Sequence, residues 1–319
     1  MDETTGAGRS GPPPTIPPPQ AWGGGAIHPP APRPFPWINL ILFALTVGST
    51  LVAGTLMTLD DYRWATVVDV LLQPAWWGLG LPYAGCLVLI LGSHEMGHYL
   101  ACRHYRIDAT LPYFIPGPPY FGTFGAVIRI RAPITDRRAL FDIGVAGPIA
   151  GFVVAVPVLI YGLTESRLTR LPPRAGDLYL SSCLLMDLLV PRFFPGTGAD
   201  ETLRLHPTFV AGWVGLLATG LNLLPMGQLD GGHVLYALTR RGHAVVSRIA
   251  IAVLILAGIL FGGLHLVVFG VVFAVIGPRH PATLDDRIPP GPFRLLVALG
   301  ALLMLVLCLI VRTPAILGS

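Results

Sequence analysis

The chain has 319 residues, of which 53% are hydrophobic and only 12% are charged. Soluble globular domains carry about 25% charged residues, so this composition predicts a polytopic membrane protein and disfavours an ordinary soluble domain. The net charge of +4 comes with 21 basic residues, all arginine, whose scattered positions give no support for nucleic-acid binding. The cysteines lack CxxC spacing and are predicted to be reduced structural residues. They are Cys86, Cys102, Cys183 and Cys308.

Residues 1–36 are rich in proline and glycine and contain almost no aliphatic run. Such a segment cannot bury enough apolar surface to offset the entropy lost on folding, so we predict a disordered cytoplasmic tail. It also lacks the basic start and early apolar core of a signal peptide. A proline-rich docking ligand is the alternative interpretation. Residues 37–319 are predicted to form one membrane domain.

Six apolar stretches approach or exceed the length of about 20 residues that a helix needs to cross a bilayer. They are residues 38–59, 79–102, 141–163, 207–224, 249–276 and 293–311. The fifth is the longest and is interrupted at Gly262 and Gly263, so it predicts either one tilted helix or a pair of short ones. The sequence therefore predicts an all-α membrane protein with six or seven transmembrane helices.

The segment between the second and third spans has a different periodicity. Two sets of side chains alternate along it, namely Val127, Arg129 and Arg131 on one face and Ala126, Ile128 and Ile130 on the other. This period of two, preceded by a cluster of proline and glycine, predicts a small membrane-associated strand or β-hairpin. A short apolar run at residues 178–190 predicts a surface helix. Neither segment between spans is large enough for a further folded domain.

The distribution of arginine predicts the orientation in the membrane. With seven spans, most of the arginine residues fall on the side that carries the N-terminus, and with six spans the excess shrinks but keeps its sign. We therefore expect the N-terminus to be cytoplasmic. The use of arginine without any lysine favours a bacterial cell membrane.

The second span contains LGSHEMGHYLAC, which places three ionisable side chains in apolar sequence. Each ionisable residue at membrane depth costs about 2.5–3.5 kcal/mol on insertion scales. His94 and His98, at positions i and i+4, share one helix face and can bind a single Zn²⁺ ion. Glu95 lies beside them, where this HExxH pattern places the general base of a metalloprotease. A pair of structural histidines is the alternative, but it leaves Glu95 unexplained.

A catalytic zinc site needs a third protein ligand, and few ionisable residues remain at a similar depth. The fourth span runs into NLLPMGQLDGGH, which supplies Asp230, and the fifth contains His265. Asp230 is favoured because Pro225 and Gly227 interrupt the helix beside it. Irregular backbone at membrane depth is tolerated only against protein or a wet cavity. His265 stays open as a ligand, and helix capping is the structural alternative for Asp230.

The two motifs together resemble the site-2 protease family of intramembrane zinc metalloproteases. HEMGH is followed in a later span by Asn222, Pro225, Asp230 and Gly231, which match the Asn-x-x-Pro-x-x-x-x-Asp-Gly spacing of that family. PPYFGTFGAVIRIRAPITDRRALFDIGVAGPIAG and HPATLDDR also resemble the branch that includes the chloroplast gravitropism-deficient yellow-green proteases. The resemblance extends from about residue 80 to residue 310.

The resemblance implies a zinc metalloendopeptidase that cleaves transmembrane substrate helices, with a zinc core at about residues 79–240. It implies zinc ligands at His94, His98 and Asp230, with Glu95 as the general base, which are the residues that the motifs had already indicated. It also implies that Asn222 stabilises the oxyanion, for which a plain interhelical hydrogen bond is the alternative.

The predicted strand is expected to hold the substrate. A substrate helix must unwind before hydrolysis, because its amides are hydrogen-bonded to one another. An exposed strand edge can hold the unwound segment by β-addition. The residues expected to do so are Gly122, Gly125, Ala126, Val127 and Ile128. A purely structural hairpin is the alternative. The expected partners are a single-span membrane protein and the lipid bilayer.

Three rival functions fit these residues less well. A zinc transporter needs ionisable groups at several depths along a path, whereas the other spans are nearly bare. A non-catalytic membrane scaffold would have no need for Glu95. A different membrane HExxH protease, acting on prenylated C-termini, would carry a second histidine or glutamate motif in place of the one that supplies Asp230.

Overall fold

The computed structural model describes residues 35–170, 180–196, 201–260, 264–278 and 280–312. Within these ranges the protein is mostly α-helical and contains three small two-stranded antiparallel sheets. The predicted tail, apart from its last two residues, lies outside the described ranges.

The helices and strands of the described residues have the following bounds, in chain order. The helices are α1 (Trp37–Leu59), α2 (Trp64–Leu72), a 3₁₀ helix (Pro74–Gly80), α3 (Leu81–His104), α4 (Arg137–Thr164), α5 (Leu184–Phe193), α6 (Pro207–Leu223), α7 (Asp230–Leu238), α8 (His243–Leu260), α9 (Leu264–Ile276) and α10 (Pro292–Cys308). The strands are β1 (Tyr113–Pro116), β2 (Thr123–Val127), β3 (Arg167–Thr169), β4 (Ser182–Cys183), β5 (Thr202–Arg204) and β6 (Ile310–Arg312).

Several of these helices have the length and composition of membrane spans. Within the described part of the chain, four segments qualify on both counts, namely Trp37–Leu59, Pro74–His104, Arg137–Thr164 and His243–Leu260. Three shorter apolar helices accompany them, at Pro207–Leu223, Leu266–Val275 and Pro292–Cys308. The predicted helical membrane class is thus confirmed. The long fifth stretch contains both α8 and α9, and residues 261–263 between them lie outside the described ranges.

The centre of the protein is formed by α3, α4 and α6, which pack closely. At the crossing of α4 and α6, a Cβ atom on Gly162 would lie only 2.1 Å from the backbone nitrogen of Phe209. Phe209 and Leu159 are fully buried at this contact. Small residues let membrane helices approach until their backbones touch, which is how this core is held without a water-driven hydrophobic effect.

The predicted β-hairpin is present between α3 and α4. Tyr113 of β1 lies opposite Val127 of β2. The ladder continues past β2, because the Thr110 N–H donates to the Arg129 carbonyl at 3.0 Å and the Arg131 N–H donates to the Asp108 carbonyl at 2.8 Å. The predicted surface helix also exists as α5, although it begins later than the apolar run suggested.

The hairpin is fixed against α1 at both of its ends. The Asn39 side-chain amide donates to the carbonyl of Leu111 at 2.8 Å, just before β1. The Ser49 hydroxyl donates to the carbonyl of Gly122 at 2.5 Å, at the turn. A Cβ atom on Gly122 would lie 2.5 Å from the Cα of Thr50, so only glycine fits this contact. The first helix therefore sets the position of the hairpin.

Candidate metal centre

Three ligand atoms from α3 and α7 converge on one point. The Nε2 atoms of His94 and His98 are 3.2 Å apart. Asp230 Oδ2 lies 3.3 Å from His94 Nε2 and 3.2 Å from His98 Nε2. A tetrahedral zinc ion with bonds of about 2.0–2.1 Å places its ligand atoms about 3.3 Å apart. The spacing of these three atoms therefore fits a zinc site.

The chemistry of the three groups also fits a cation. Two imidazole nitrogens and a carboxylate oxygen face one another, with side chains only 6%, 8% and 14% exposed. Buried acceptors in this arrangement are costly unless a shared positive charge compensates them. Among the described residues, this is the one group of three or more such ligands. The side chain of His265, the other potential ligand, lies outside the described part.

A backbone carbonyl of α4 orients one of the two histidines. His98 Nδ1 lies 2.8 Å from the carbonyl oxygen of Ile143. Because a carbonyl can only accept, Nδ1 carries the hydrogen and Nε2 presents its lone pair to the site. Hydrogen bonds of this kind fix the ring orientation of metal-binding histidines and strengthen their binding.

A row of glycines on α4 makes room for the two histidines. A Cβ atom on Gly147 would lie 2.1 Å from His98 Nε2, and one on Gly151 would lie 3.0 Å from His94 Nδ1. Gly144, one turn earlier, faces α7, where its Cβ would lie 3.2 Å from the carbonyl oxygen of Asp230. The motifs did not predict this row of glycines, although the glycine spacing in GVAGPIAG is its signal in the sequence.

Asp230 reaches the histidines because the chain folds back tightly after α6. A Cβ atom on Gly231 would lie 2.0 Å from the carbonyl oxygen of Leu223, and one on Gly232 would lie 2.4 Å from that of Gly227. Gly227 itself has a φ of 50°, a left-handed conformation that favours glycine. The irregular LPMGQLDGG sequence is therefore what returns a carboxylate to the metal-binding face of α3.

The remaining catalytic candidates also lie at this point. Glu95 is buried beside the histidines, and the backbone N–H of Ile128 is directed to its carboxylate. Asn222, on the last turn of α6, places Nδ2 at 3.2 Å from His94 Nε2. The structure thus gathers all five predicted metal and catalytic residues in one site.

Only part of the segment expected to hold substrate has backbone groups that face away from its paired strand. Arg129 and Arg131 direct their backbone groups towards residues 108–110, so alternation along the strand directs those of Ala126 and Ile128 to the other edge. Val127 is half exposed. The turn residue Gly122 is different, because it is buried against α1 and its carbonyl is bonded to Ser49. Among the described residues, this edge of the strand is free and lies beside Glu95, and Gly122 does not contribute to it.

Comparison with known proteins identifies the family. Residues 82–264, more than half of the chain, match the model of peptidase family M50. The chain belongs to peptidase family M50. No solved structure matches it.

Proteins named as probable zinc metalloproteases align with most of this chain. "Probable zinc metalloprotease EGY1, chloroplastic" of Arabidopsis thaliana is 31% identical over 293 residues, which cover 86% of this chain and 52% of that protein. "Probable zinc metalloprotease EGY2, chloroplastic" of the same plant is 30% identical over 242 residues, covering 72% and 42% respectively. The chain therefore spans about half the length of these relatives, or less. The predicted resemblance to site-2 proteases and to this branch is confirmed.

The M50 match covers the site but not every helix of the described residues. It contains the hairpin, both histidines and Asp230, and it ends at the beginning of α9. The helices α1 and α10 lie outside it. The contacts of α1 with the hairpin therefore involve a helix outside the residues that the family model matches.

Proposed function

We propose that the protein is an intramembrane zinc metalloendopeptidase that hydrolyses peptide bonds of transmembrane substrate segments, in the manner of regulated intramembrane proteolysis. The observation that carries this proposal is the convergence of His94, His98 and Asp230 within 3.3 Å in apolar helices, with Glu95 beside them. The names of the M50 relatives, which call them zinc metalloproteases, support the same activity.

Each residue of the site has a role in this proposal. His94, His98 and Asp230 hold the zinc ion, which, when bound, supplies a Lewis acid that lowers the pKa of water to about 7. Glu95 removes a proton from the attacking water and returns it to the leaving amine. The Asn222 amide donates a hydrogen bond to the oxyanion, which its position 3.2 Å from His94 Nε2 supports.

The substrate in this proposal is a single-span membrane protein whose helix unwinds along the free edge of β2. The outward N–H of Ala126 pairs with the substrate backbone, and the exposed side chain of Phe124 contacts its flank. The fixing of the hairpin by Asn39 and Ser49 supports this role, because a strand that receives substrate must keep a constant distance from Glu95.

We further propose seven membrane spans, with residues 37–319 as one domain. Gly270 of α9 packs on Ile255 of α8, so α9 turns back along α8. Arg294, at the start of α10, bonds to Asp142, near the start of α4, with Nε 2.8 Å from Oδ1. This contact supports a topology in which α10 and α4 begin on the same side of the membrane. A chain that crosses twice through α8 and α9 satisfies this, whereas a single crossing does not.

The location that we propose is a bacterial cell membrane, with the N-terminus and the active site towards the cytoplasm. The excess of arginine on the side of the N-terminus supports the orientation. The lysine-free composition supports the bacterial origin, although the two named relatives are chloroplastic.

The proposed activity is tested with the purified full chain and a single-span substrate in detergent. We expect cleavage within the apolar segment of the substrate, mapped by mass spectrometry. A zinc chelator abolishes it, and added zinc restores it. The same protein in sealed vesicles should not move zinc across the bilayer. Zinc flux without any cleavage would establish the transporter instead. The absence of both cleavage and zinc flux would favour the non-catalytic scaffold.

A further inference from the structure

A segment between α9 and α10 contacts α7, the helix whose first residue is the metal-ligand candidate Asp230. This segment, called the strap, comprises residues 280–287, with the sequence HPATLDDR. Its backbone is bonded to the stretch that leads into α4. The Leu284 N–H donates to the Ile134 carbonyl at 3.0 Å, and the Asp285 N–H donates to the Thr135 carbonyl at 2.8 Å. One side of the strap is therefore fixed to the core.

The other side of the strap bonds to α7 through two histidines. His280 Nδ1 lies 2.6 Å from the carbonyl oxygen of Pro281, and His280 Nε2 lies 2.6 Å from Nδ1 of His233. Because the carbonyl only accepts, Nδ1 of His280 carries a hydrogen, and Nε2 of the neutral ring accepts from the His233 N–H. Burial lowers the pKa of His280, which favours this neutral form.

A second link joins the strap to α7 further along the helix. The Tyr236 hydroxyl donates to Asp286 Oδ2 at 2.9 Å, and Arg240 Nε lies 3.2 Å from the same oxygen. Burial raises the pKa of Asp286, but the hydrogen bonds from Thr283 and Tyr236 and the charge of Arg240 outweigh it and hold this pKa below its usual range. Asp286 therefore stays ionised. The ring of His280 also stacks on Tyr236, with centroids 4.6 Å apart.

The first turn of α7 lies between α4 and the strap. His233 follows Asp230 by one helical turn. A Cβ atom on Gly144 of α4 would lie 2.8 Å from the Cβ of His233 and 3.2 Å from the carbonyl oxygen of Asp230. The backbone of the turn thus rests on α4, while the ring of His233 bonds to His280 of the strap.

We propose that His280 is a positioning residue for the metal site: its hydrogen bond with His233 fixes the first turn of α7 and, with it, the carboxylate of Asp230. This inference rests on the ligand role given to Asp230 in the proposed function. It concerns residues that neither the HExxH motif nor the later Asp-Gly motif includes.

The turn needs such a support for two physical reasons. The helix α7 has nine residues, and helices this short are marginal without tertiary contacts. Two glycines follow Asp230 directly, and glycine allows more backbone freedom than any other residue. Outer hydrogen bonds that orient metal ligands typically change metal affinity by about 10–100-fold when they are removed.

The test measures zinc affinity of the full chain in detergent by competition with a chelator of known affinity. His280→Phe keeps a ring that can stack on Tyr236 but removes the acceptor for His233. His280→Gln removes the ring but restores an acceptor. We expect His280→Phe to weaken zinc binding by about 10–100-fold and His280→Gln to stay within a few-fold of the parent. The matched control is His104→Phe, at an exposed position on the last turn of α3, which should change nothing.

The outcomes separate this inference from the proposed function. Unchanged zinc affinity in His280→Phe would overturn the positioning role, as would an equal loss in both His280 variants, which would assign the effect to the ring. Asp230→Ala is measured in parallel. If Asp230→Ala loses zinc while His280→Phe keeps it, only the positioning role fails. If Asp230→Ala keeps zinc, the ligand assignment in the proposed function is itself wrong.

Discussion

Gly147 of α4 lies directly against the metal-facing nitrogen of His98. A Cβ atom at position 147 would come within 2.1 Å of His98 Nε2, which is the distance of a zinc–nitrogen bond. A methyl group there would occupy the space that the ion and the imidazole need. The space beside the Cα atom of Gly147 is therefore part of the metal centre.

We predict that Gly147→Ala loses zinc. The added methyl group displaces His98 from its partners, so zinc affinity should fall by more than about tenfold, and cleavage should fall with it. The matched control is Gly300→Ala on α10, where an added Cβ meets nothing within 4 Å. Metal analysis of both purified variants checks the prediction. A Gly147→Ala protein with a full zinc content would show that the ion does not sit where the three ligand atoms converge.

The third ligand can be tested by comparing Asp230 with His265. Asp230→Ala should lower zinc occupancy and activity together, because Asp230 Oδ2 is the atom that faces both histidines. His265→Ala should leave both unchanged. Elemental analysis after purification measures occupancy. The reverse pattern, with zinc lost only from His265→Ala, would show that the third ligand had been chosen wrongly.

The strand edge predicts a selective effect of proline. Ala126→Pro removes the N–H that we expect to pair with substrate, so KM should rise several-fold, since a hydrogen bond contributes about 0.5–1.5 kcal/mol. Ala126→Val keeps the N–H and suits a strand, and it serves as the control. Zinc content should be normal in both. A substrate with helix-breaking residues near its cut site should not rescue Ala126→Pro, because unwinding is not its defect. Equal cleavage by the parent and Ala126→Pro would make the hairpin purely structural.

The contact of α1 with the hairpin predicts that a residue outside the M50 match affects cleavage. Ser49→Ala removes the 2.5 Å hydrogen bond to the Gly122 carbonyl, so the turn is less firmly held. We expect cleavage of a transmembrane substrate to fall by roughly 2–10-fold, with normal zinc content. Thr58→Val is the control, because its hydroxyl bonds to the Gly54 and Leu79 carbonyls, away from the hairpin. Equal losses in both variants would indicate general destabilisation of α1.

The metal ligands could be predicted because their chemistry is visible in the chain. The i, i+4 spacing of His94 and His98 fixes their common face, and ionisable residues are so rare in the other spans that Asp230 was one of few choices. The hairpin was also predictable, since its side chains alternate with a period of two. In each case a local pattern determined the result.

The remaining features depend on contacts between distant parts of the chain. The packing of Gly147 on His98 and the bond between His233 and His280 join residues from different helices or loops, and no local periodicity encodes them. The 3₁₀ helix was missed because Pro74, Gly78 and Gly80 resemble a loop, and α2 was missed because its nine residues are too few for a membrane span. The strand β2 begins at Thr123, before the alternating side chains that start at Ala126. Its first residue is determined by pairing with β1 and not by the alternation of side chains.

The most direct test of the account is the zinc content and cleavage activity of Glu95→Gln measured on one preparation. Glu95 acts as a base and not as a ligand in our proposal, so the variant should keep about one zinc ion per chain, as a site of three protein ligands requires. Its cleavage of a transmembrane substrate should fall by roughly 10²–10⁴-fold, the usual contribution of a general base. Loss of the zinc would make Glu95 a ligand, and cleavage at the parent rate would contradict the mechanism.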